Sequence, residues 1–322
     1  MFESRGPELH KPEPSVSDVR TPPPRLGAIR AVTHAVPDLI AIEDAYTRFL
    51  GYRTVDRGLV PRDVAESWGT PAVTGRSYLT LEPESGEAVH LRFVESTAAV
   101  HWRALTTHGW NATELVVQDV DALAGKLTDS PFVIIGAPRS LQRFPMIRAM
   151  QLLGPAGECL YCTQVGAGSG LDLAPADSPV GRVFIAVAGG PDLNAMFATY
   201  ARFANEADPP VATPVRVISW ANGLPPETQH PHGLIKLMRG TLIELDGYPS
   251  VTTTRHTPPG ELPPGMAIVS FDVEYLEPCS PIGPVANALL PGAGRAATFK
   301  GAAGELVELV EPAERVRPCS HA

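Results

Sequence analysis

Gly304-Glu305-Leu306-Val307-Glu308 is one copy of a pattern that this chain writes four times. A glycine is followed by a usually acidic residue, two mainly apolar residues and one functional side chain. The other copies are Gly86-Glu87-Ala88-Val89-His90, Gly157-Glu158-Cys159-Leu160-Tyr161 and Gly240-Thr241-Leu242-Ile243-Glu244. A readable strand precedes each copy, at 78–81, 148–152, 234–238 and 296–299, so each glycine turns the second strand of a hairpin back on the first. Four hairpins imply four units.

The chain also repeats on a longer scale. Pro37-Asp38-Leu39, Ala41, Tyr46, Arg48 and Phe49 recur as Pro191-Asp192-Leu193, Ala195, Tyr200, Arg202 and Phe203, at one constant shift. The same shift carries His90 onto Glu244, and a nearly equal one carries Ser67-Trp68 onto Ser219-Trp220. This is a tandem duplication. Each half holds two units reading as strand, helix, then three strands, with first strands expected at 28–36, 113–117, 182–188 and 266–273. The expected organisation is a proline-rich disordered leader at 1–25, a first pair of units at 26–166 and a small-residue linker at 167–179. A second pair follows at 180–312 and a tail at 313–322.

With 322 residues, 44% of them hydrophobic, the chain can bury sizeable cores. A formal net charge of -9 and a pI near 5.5 argue against nucleic acid or an anionic membrane as the main partner, since both select a basic surface. No apolar run approaches the roughly 18 residues of a membrane span. The N-terminus lacks the apolar segment of a signal peptide, and the expected location is the cytoplasm. Cys159 and Cys162 resemble a metal-binding pair, but positions three apart in a strand point to opposite faces. Cys279 and Cys319 lie in proline-containing loop and tail sequence and point to no chemistry.

Four βαβββ units in tandem, each ending in a glycine-turned strand with one polar residue among apolar ones, resemble the vicinal oxygen chelate superfamily. That superfamily includes glyoxalase I, type I extradiol dioxygenases and bleomycin-resistance proteins. The resemblance covers roughly 26–312 and rests on the Pro-Asp-Leu helix starts and the Gly-x-x-x-Glu-Leu endings at Glu244 and Glu308. It implies an α+β fold in which units pair and curl their sheets into two cup-shaped half-barrels, each final strand pointing its polar residue into a cup. Alternation supports that placement independently: Val89, Leu91 and Phe93 take the core face, leaving His90 and Arg92 opposite, and Ile243 and Leu245 leave Glu244 and Asp246. His90 and Tyr161 are therefore expected in a first cup, Glu244 and Glu308 in a second.

Metal-dependent members of that superfamily hold a divalent ion with His or Gln from first strands and Glu from final strands. Here the first strands of units two to four offer Glu114, then the apolar run 183–188, then Ser270 and Asp272. His34, in unit one, shares its parity with Val32 and Val36 and so faces the helix. A divalent metal is allowed by the resemblance, but no complete ligand set is visible. His230 and His232 flank Pro231 as a loop pair, and His101 and His108 sit on the connection between units.

The residues that remain are His90 with Tyr161, and Glu244 with Glu308, as general acids and bases. Trp68 and Trp220 fall where loops cover cup mouths, as aromatic lids, and Glu114 and Asp272 are candidate ligand-binding groups. Each has a plainer reading too: a hydrogen-bonded histidine, solvated carboxylates, packing aromatics. The functional expectation is an enzyme of small-molecule catabolism, of lyase, isomerase or ring-cleaving type, acting on an aromatic or oxygenated apolar compound. The alternatives are a non-catalytic small-molecule binder and a metal-dependent dioxygenase with atypical ligands. The partner is a small molecule, and a homodimer is compatible with the resemblance.

Overall fold

The repeated glycine does what the hairpins require. Gly86, Gly157, Gly240 and Gly304 all adopt positive φ, between 64° and 86°, a conformation that costs other residues energy. The computed structural model describes residues 25–98, 102–141, 144–166, 173, 175–204, 206–276 and 280–313. The leader 1–24, most of the linker at 167–174, the tail 314–322, Cys279, Cys319 and His101 lie outside the described residues.

Unit one comprises β1 (Ile29–Val36), α1 (Leu39–Ala45), β2 (Arg53–Leu59), α2 (Arg62–Ser67), β3 (Ser77–Glu82) and β4 (His90–Glu95). Unit two comprises β5 (Gly109–Val117), α3 (Val120–Lys126), β6 (Val133–Ser140), β7 (Ile147–Leu153) and β8 (Cys159–Val165). Unit three comprises β9 (Val180–Gly190), α4 (Leu193–Ala201), β10 (Glu206–Pro214), α5 (Arg216–Ala221), β11 (Gln229–Lys236) and β12 (Leu242–Gly247). Unit four comprises β13 (Gly265–Asp272), β14 (Ala286–Asn287), β15 (Ala293–Lys300) and β16 (Leu306–Pro312). Among its described residues unit four has no helix, so the uniform strand-helix-strands reading holds for three units only. Asp38, Asp119 and Asp192 each cap a helix by accepting from backbone N–H groups of the first turn.

The strands form two eight-stranded sheets, ordered β14-β15-β16-β13-β1-β4-β3-β2 and β10-β11-β12-β9-β5-β8-β7-β6. The fold class is the expected one, α+β with two curled half-barrels. The pairing of units is not: unit one joins unit four through β1 and β13, and unit two joins unit three through β5 and β9, both antiparallel. The repeated motif marks every final strand alike and carries no information about which first strands meet. His90 therefore shares a cup with Glu308, and Tyr161 shares one with Glu244.

The convex faces of both sheets contribute to a single core. It takes Val32, Leu91, Phe93, Val269 and Phe271 from one sheet and Leu115, Val183, Ile243 and Leu245 from the other. Cys162 lies in this core and Cys159 on the concave side, as strand parity requires. His34 also faces inward, stacked on Phe93 and hydrogen-bonded to Thr113 Oγ1 at 3.2 Å.

The second position of the glycine motif ties units together. Tyr46 Oη donates to Glu158 Oε1 at 2.9 Å, and its duplicate Tyr200 donates to Glu305 Oε1 at 2.7 Å. Glu87 pairs with Arg182 at 3.0 Å, and Thr241 Oγ1 accepts from the Ile29 N–H at 3.2 Å. Buried carboxylates are costly unless partnered. Glu158 and Glu305 also accept from the Ala156 and Ala303 N–H groups of their own turns, at 2.9 and 2.8 Å, so their recurrence at this position reflects both turn chemistry and inter-unit contact.

Candidate functional site

The cup of units one and four is packed shut. Strand register aligns His90, Ala31, Ser270 and Glu308 in one row across β4, β1, β13 and β16, leaving roughly 14 Å between the two end backbones at the usual strand spacing. Arg92, one step along β4 on the same face, fills that gap: its NH2 lies 3.1 Å from Glu308 Oε2, and its Nε donates to Thr33 Oγ1 at 2.9 Å. Glu308 also accepts from Trp68 Nε1 at 2.7 Å and from Ser270 Oγ. The guanidinium lies 4.5 Å from the centre of the Trp68 ring and donates to the Leu289 carbonyl. Trp68, Arg92 and Glu308 are each at most 1% exposed. His90, at the end of the row, is buried 3.6 Å from Glu82, and burial together with Arg30 lowers its pKa to about 4.

The cup of units two and three is the more open one: α5 packs Val217, Ile218 and Ala221 against part of its inner face, but Glu244 stays part-exposed and a cleft opens beside Trp220. Its inner face carries Glu114 and Thr163 beside Tyr161, then Glu244 and Asp246 on β12. The expected partnerships of His90 with Tyr161 and of Glu244 with Glu308 are thus corrected, since each pair is split between the sheets. Glu114 instead faces Glu244. Burial first, and Glu244 second, push the Glu114 carboxyl up to about 8, while the Thr163 hydroxyl donates to it. Burial brings Glu244 to about 7, although part of this side chain stays exposed. Burial and the nearby Glu244 also raise Asp246 well above the carboxylate range. Both Asp246 oxygens, Tyr161 Oη, Tyr248 Oη and Gln151 Oε1 are buried without a partner among the described residues. Native interiors leave few such groups.

The mouth of this cup is a cleft of about 400 Å³ lined by Ile135, Arg139, Gln151, Arg216, Val217 and Trp220, among others. Trp220 is 52% exposed, and the structure corrects its expected equivalence to Trp68, which is 1% exposed: the two helices match with Gly69 at Gly223, so Trp68 corresponds to Asn222 and Trp220 to Glu66. Leaving half an indole in water forgoes about 2–3 kcal/mol of burial. Gln151, Tyr161 and Glu114 are successive cross-strand neighbours, so one row of side chains runs from this mouth to the floor.

Against known proteins, no family model matches the sequence and no curated protein does. Solved structures do match. Glyoxalase I from Zea mays superposes with a TM-score of 0.56 at 14% identity, over 88% of this chain and 92% of that one. A glutamate-to-glutamine mutant of the same maize enzyme gives 0.57 at 15% identity, over 88% and 93%. A Bacillus subtilis protein of proposed dioxygenase activity gives 0.59 at 13% identity, over 90% and 87%. The chain has the vicinal oxygen chelate fold.

The residues present do not fit the divalent metal that this fold implies. In the closed cup, Glu308 is already saturated by Trp68, Ser270 and the cationic Arg92, and Ala31 and Ser270 hold row positions where the resemblance expects His or Gln. In the open cup the facing residues are Glu114, Tyr161, Val187 and Glu244. Among the described residues, no three His, Cys, Asp or Glu side chains gather in a way that would hold a metal ion. His230 and His232 lie on strand β11, not in a loop, and bond Ser219 and Thr213. Asp272 lies away from both glutamates, in a separate cleft of about 250 Å³ with Arg30, Arg182, Arg239 and Glu87. That cleft balances much of its own charge through the Arg182–Glu87 pair and the arginines around Asp272.

Alternation placed Arg92 on the cup face with His90 but gave it no role, and Gln151, Arg139 and Tyr248 were not singled out from sequence. Arg139 carries no signal from alternation, because β6 is an exposed edge strand.

Proposed function

We propose that this chain is a metal-independent enzyme that relocates a proton on a small molecule held in the cup of units two and three. The reaction type is isomerase or lyase. The observation that carries this reading is that Glu114 and Glu244 face the same open cup with different environments. Their backbones stand two strands and two residues apart, roughly 12 Å, a span that one ligand between the two carboxyls can bridge. Glu244, the more exposed of the two, takes a proton from the substrate. Glu114, the more deeply buried, delivers one to a neighbouring oxygen or carbon. Charge and protons balance without an oxidant. Burial raises the pKa of both carboxyls, so one proton held between them suits this division of labour.

The test is a screen of aromatic and oxygenated carbonyl compounds in deuterated buffer, followed by NMR. A substrate should gain deuterium or convert, and Glu244→Gln should slow this by at least about a hundredfold. A compound that binds yet returns undeuterated and unchanged, across the panel, would replace this reading with that of a binding protein.

A further inference from the structure

We infer that the open cup takes a planar carboxylate, with its anionic end held at the mouth by Arg139 and Arg216, its ring laid on Trp220 and a hydrogen-bond donor on its far end meeting Gln151. The inference rests on the open cup being the working site, and it names the class of compound that site selects.

Three independent features converge on the mouth. Arg139 is half-buried on β6 and has no hydrogen-bond or ion-pair partner among the described residues. Burial and the like charge of Arg216 lower the pKa of Arg139, against the opposing pull of Glu227. Arg216 pairs with Glu227 at 3.1 Å, so one carboxylate answers two guanidinium groups and the mouth keeps one positive charge. A planar anion matches the fork that Arg139 leaves unpaired and lies in the field of its paired neighbour. The exposed indole of Trp220 lines the same cleft and offers a flat apolar face beside those charges.

Gln151 supplies the third feature. It is 8% exposed, lines the cleft, and its Oε1 has no donor among the described residues. The amide lies directly over Gly136, where a Cβ would stand 2.2 Å from that oxygen. A ligand reaching inward from the arginines meets the Gln151 side chain first and the Tyr161–Glu114 row beyond it, and a turn of the amide off Gly136 brings the unpartnered oxygen to the ligand's donor. The floor presents the acids Glu114, Glu244 and Asp246 while the mouth presents Arg139 and Arg216, so the anionic end is held better at the mouth and the donor end points inward.

Calorimetric titration of 4-hydroxybenzoate against the neutral 4-hydroxybenzamide tests this on the intact protein. Wild type should prefer the carboxylate by at least about tenfold, one charge-assisted contact being sufficient for that. Arg139→Gln should abolish the preference while keeping the amide's affinity, and Trp220→Ala should weaken both probes. Arg139 lies on an exposed edge, and circular dichroism checks that its variant is folded. Equal binding of the two probes by wild type, survival of the preference in Arg139→Gln, or no carboxylate binding up to about 10 mM would each overturn the inference. If the preference behaves as stated but no compound exchanges deuterium, the catalytic reading falls and this one stands. If only neutral compounds exchange, the reverse holds.

Discussion

Replacing Arg92 by methionine strips the closed cup of its internal cation while keeping most of the side-chain volume. Glu308 is 1% exposed and Arg92 fully buried, so the carboxylate loses its charge partner without gaining water. The Leu289 carbonyl and Thr33 hydroxyl lose their donors as well. Breaking one side of a buried pair costs about 3–5 kcal/mol. Arg92→Met/Glu308→Met removes both charges; it leaves the Leu289 carbonyl and Thr33 hydroxyl without their donor, as the single variant does, and adds Trp68 Nε1 and Ser270 Oγ short of a partner, a further cost of about 1–3 kcal/mol. The double variant should therefore be at least as stable as the single one, with a coupling energy of about 2 kcal/mol or more. Urea unfolding followed by near-ultraviolet circular dichroism measures both, with Glu308→Gln as a milder probe should Arg92→Met fold poorly. If Arg92→Met costs under about 1 kcal/mol, or the two changes simply add, the pair is not the keystone of this cup.

Stability should peak near pH 5. Burial raises Glu114 from 4.5 to about 8 and Glu158 and Glu244 from 4.5 to about 7, so the folded chain holds protons that the unfolded chain releases above about pH 4.5, and stability is lost as pH rises from there to about 8. Burial lowers His34 from 6.5 to about 3 and His90 to about 4, so proton uptake by the two unfolded histidines below about pH 6.5 offsets part of that trend and takes over below about pH 4.5. Melting curves that are flat or rising between pH 5 and 8 would contradict this, and Glu158→Gln should make the fall shallower. Tyr46→Phe and Tyr200→Phe each strip a buried carboxylate of a donor and should each cost about 1–3 kcal/mol in denaturant unfolding; a neutral result would show the inter-unit contacts to be incidental. Gly189→Ala would bring a Cβ to 2.1 Å from the Tyr248 ring, so it should destabilise by about 1–3 kcal/mol and disturb the floor of the open cup, visible as a changed tyrosine resonance.

The units were legible because glycine turns, aspartate caps and strand alternation are local signals. His90 on the concave face and His34 on the convex one both followed from parity alone. Partner choice was not legible. β1 meets β13, more than two hundred residues away, and nothing local in either strand distinguishes that partner from β5 or β9. The error propagated to the site, splitting His90 from Tyr161 and Glu244 from Glu308. The divergence between cups was readable only in part: replacement of the final-strand Glu by His90 and Tyr161 showed it, but Arg92 reaching across Ala31 depends on the row that the pairing creates. The opposite fates of Trp68 and Trp220 likewise depend on what lies over them, Glu308 and the 282–290 segment in one cup and the cleft in the other.

That divergence is the central claim, and hydroxyl-radical footprinting read by mass spectrometry tests it on the protein alone. Trp68 caps the helix of the closed cup and Trp220 lies in the last turn of the corresponding helix, two residues off its register, so each indole reports on its own cup. Oxidation of Trp220 should outpace that of Trp68 by at least about tenfold, in line with 52% against 1% exposure. Equal rates would mean that both cups are open, or both shut, and would contradict the assignment of the working site to units two and three.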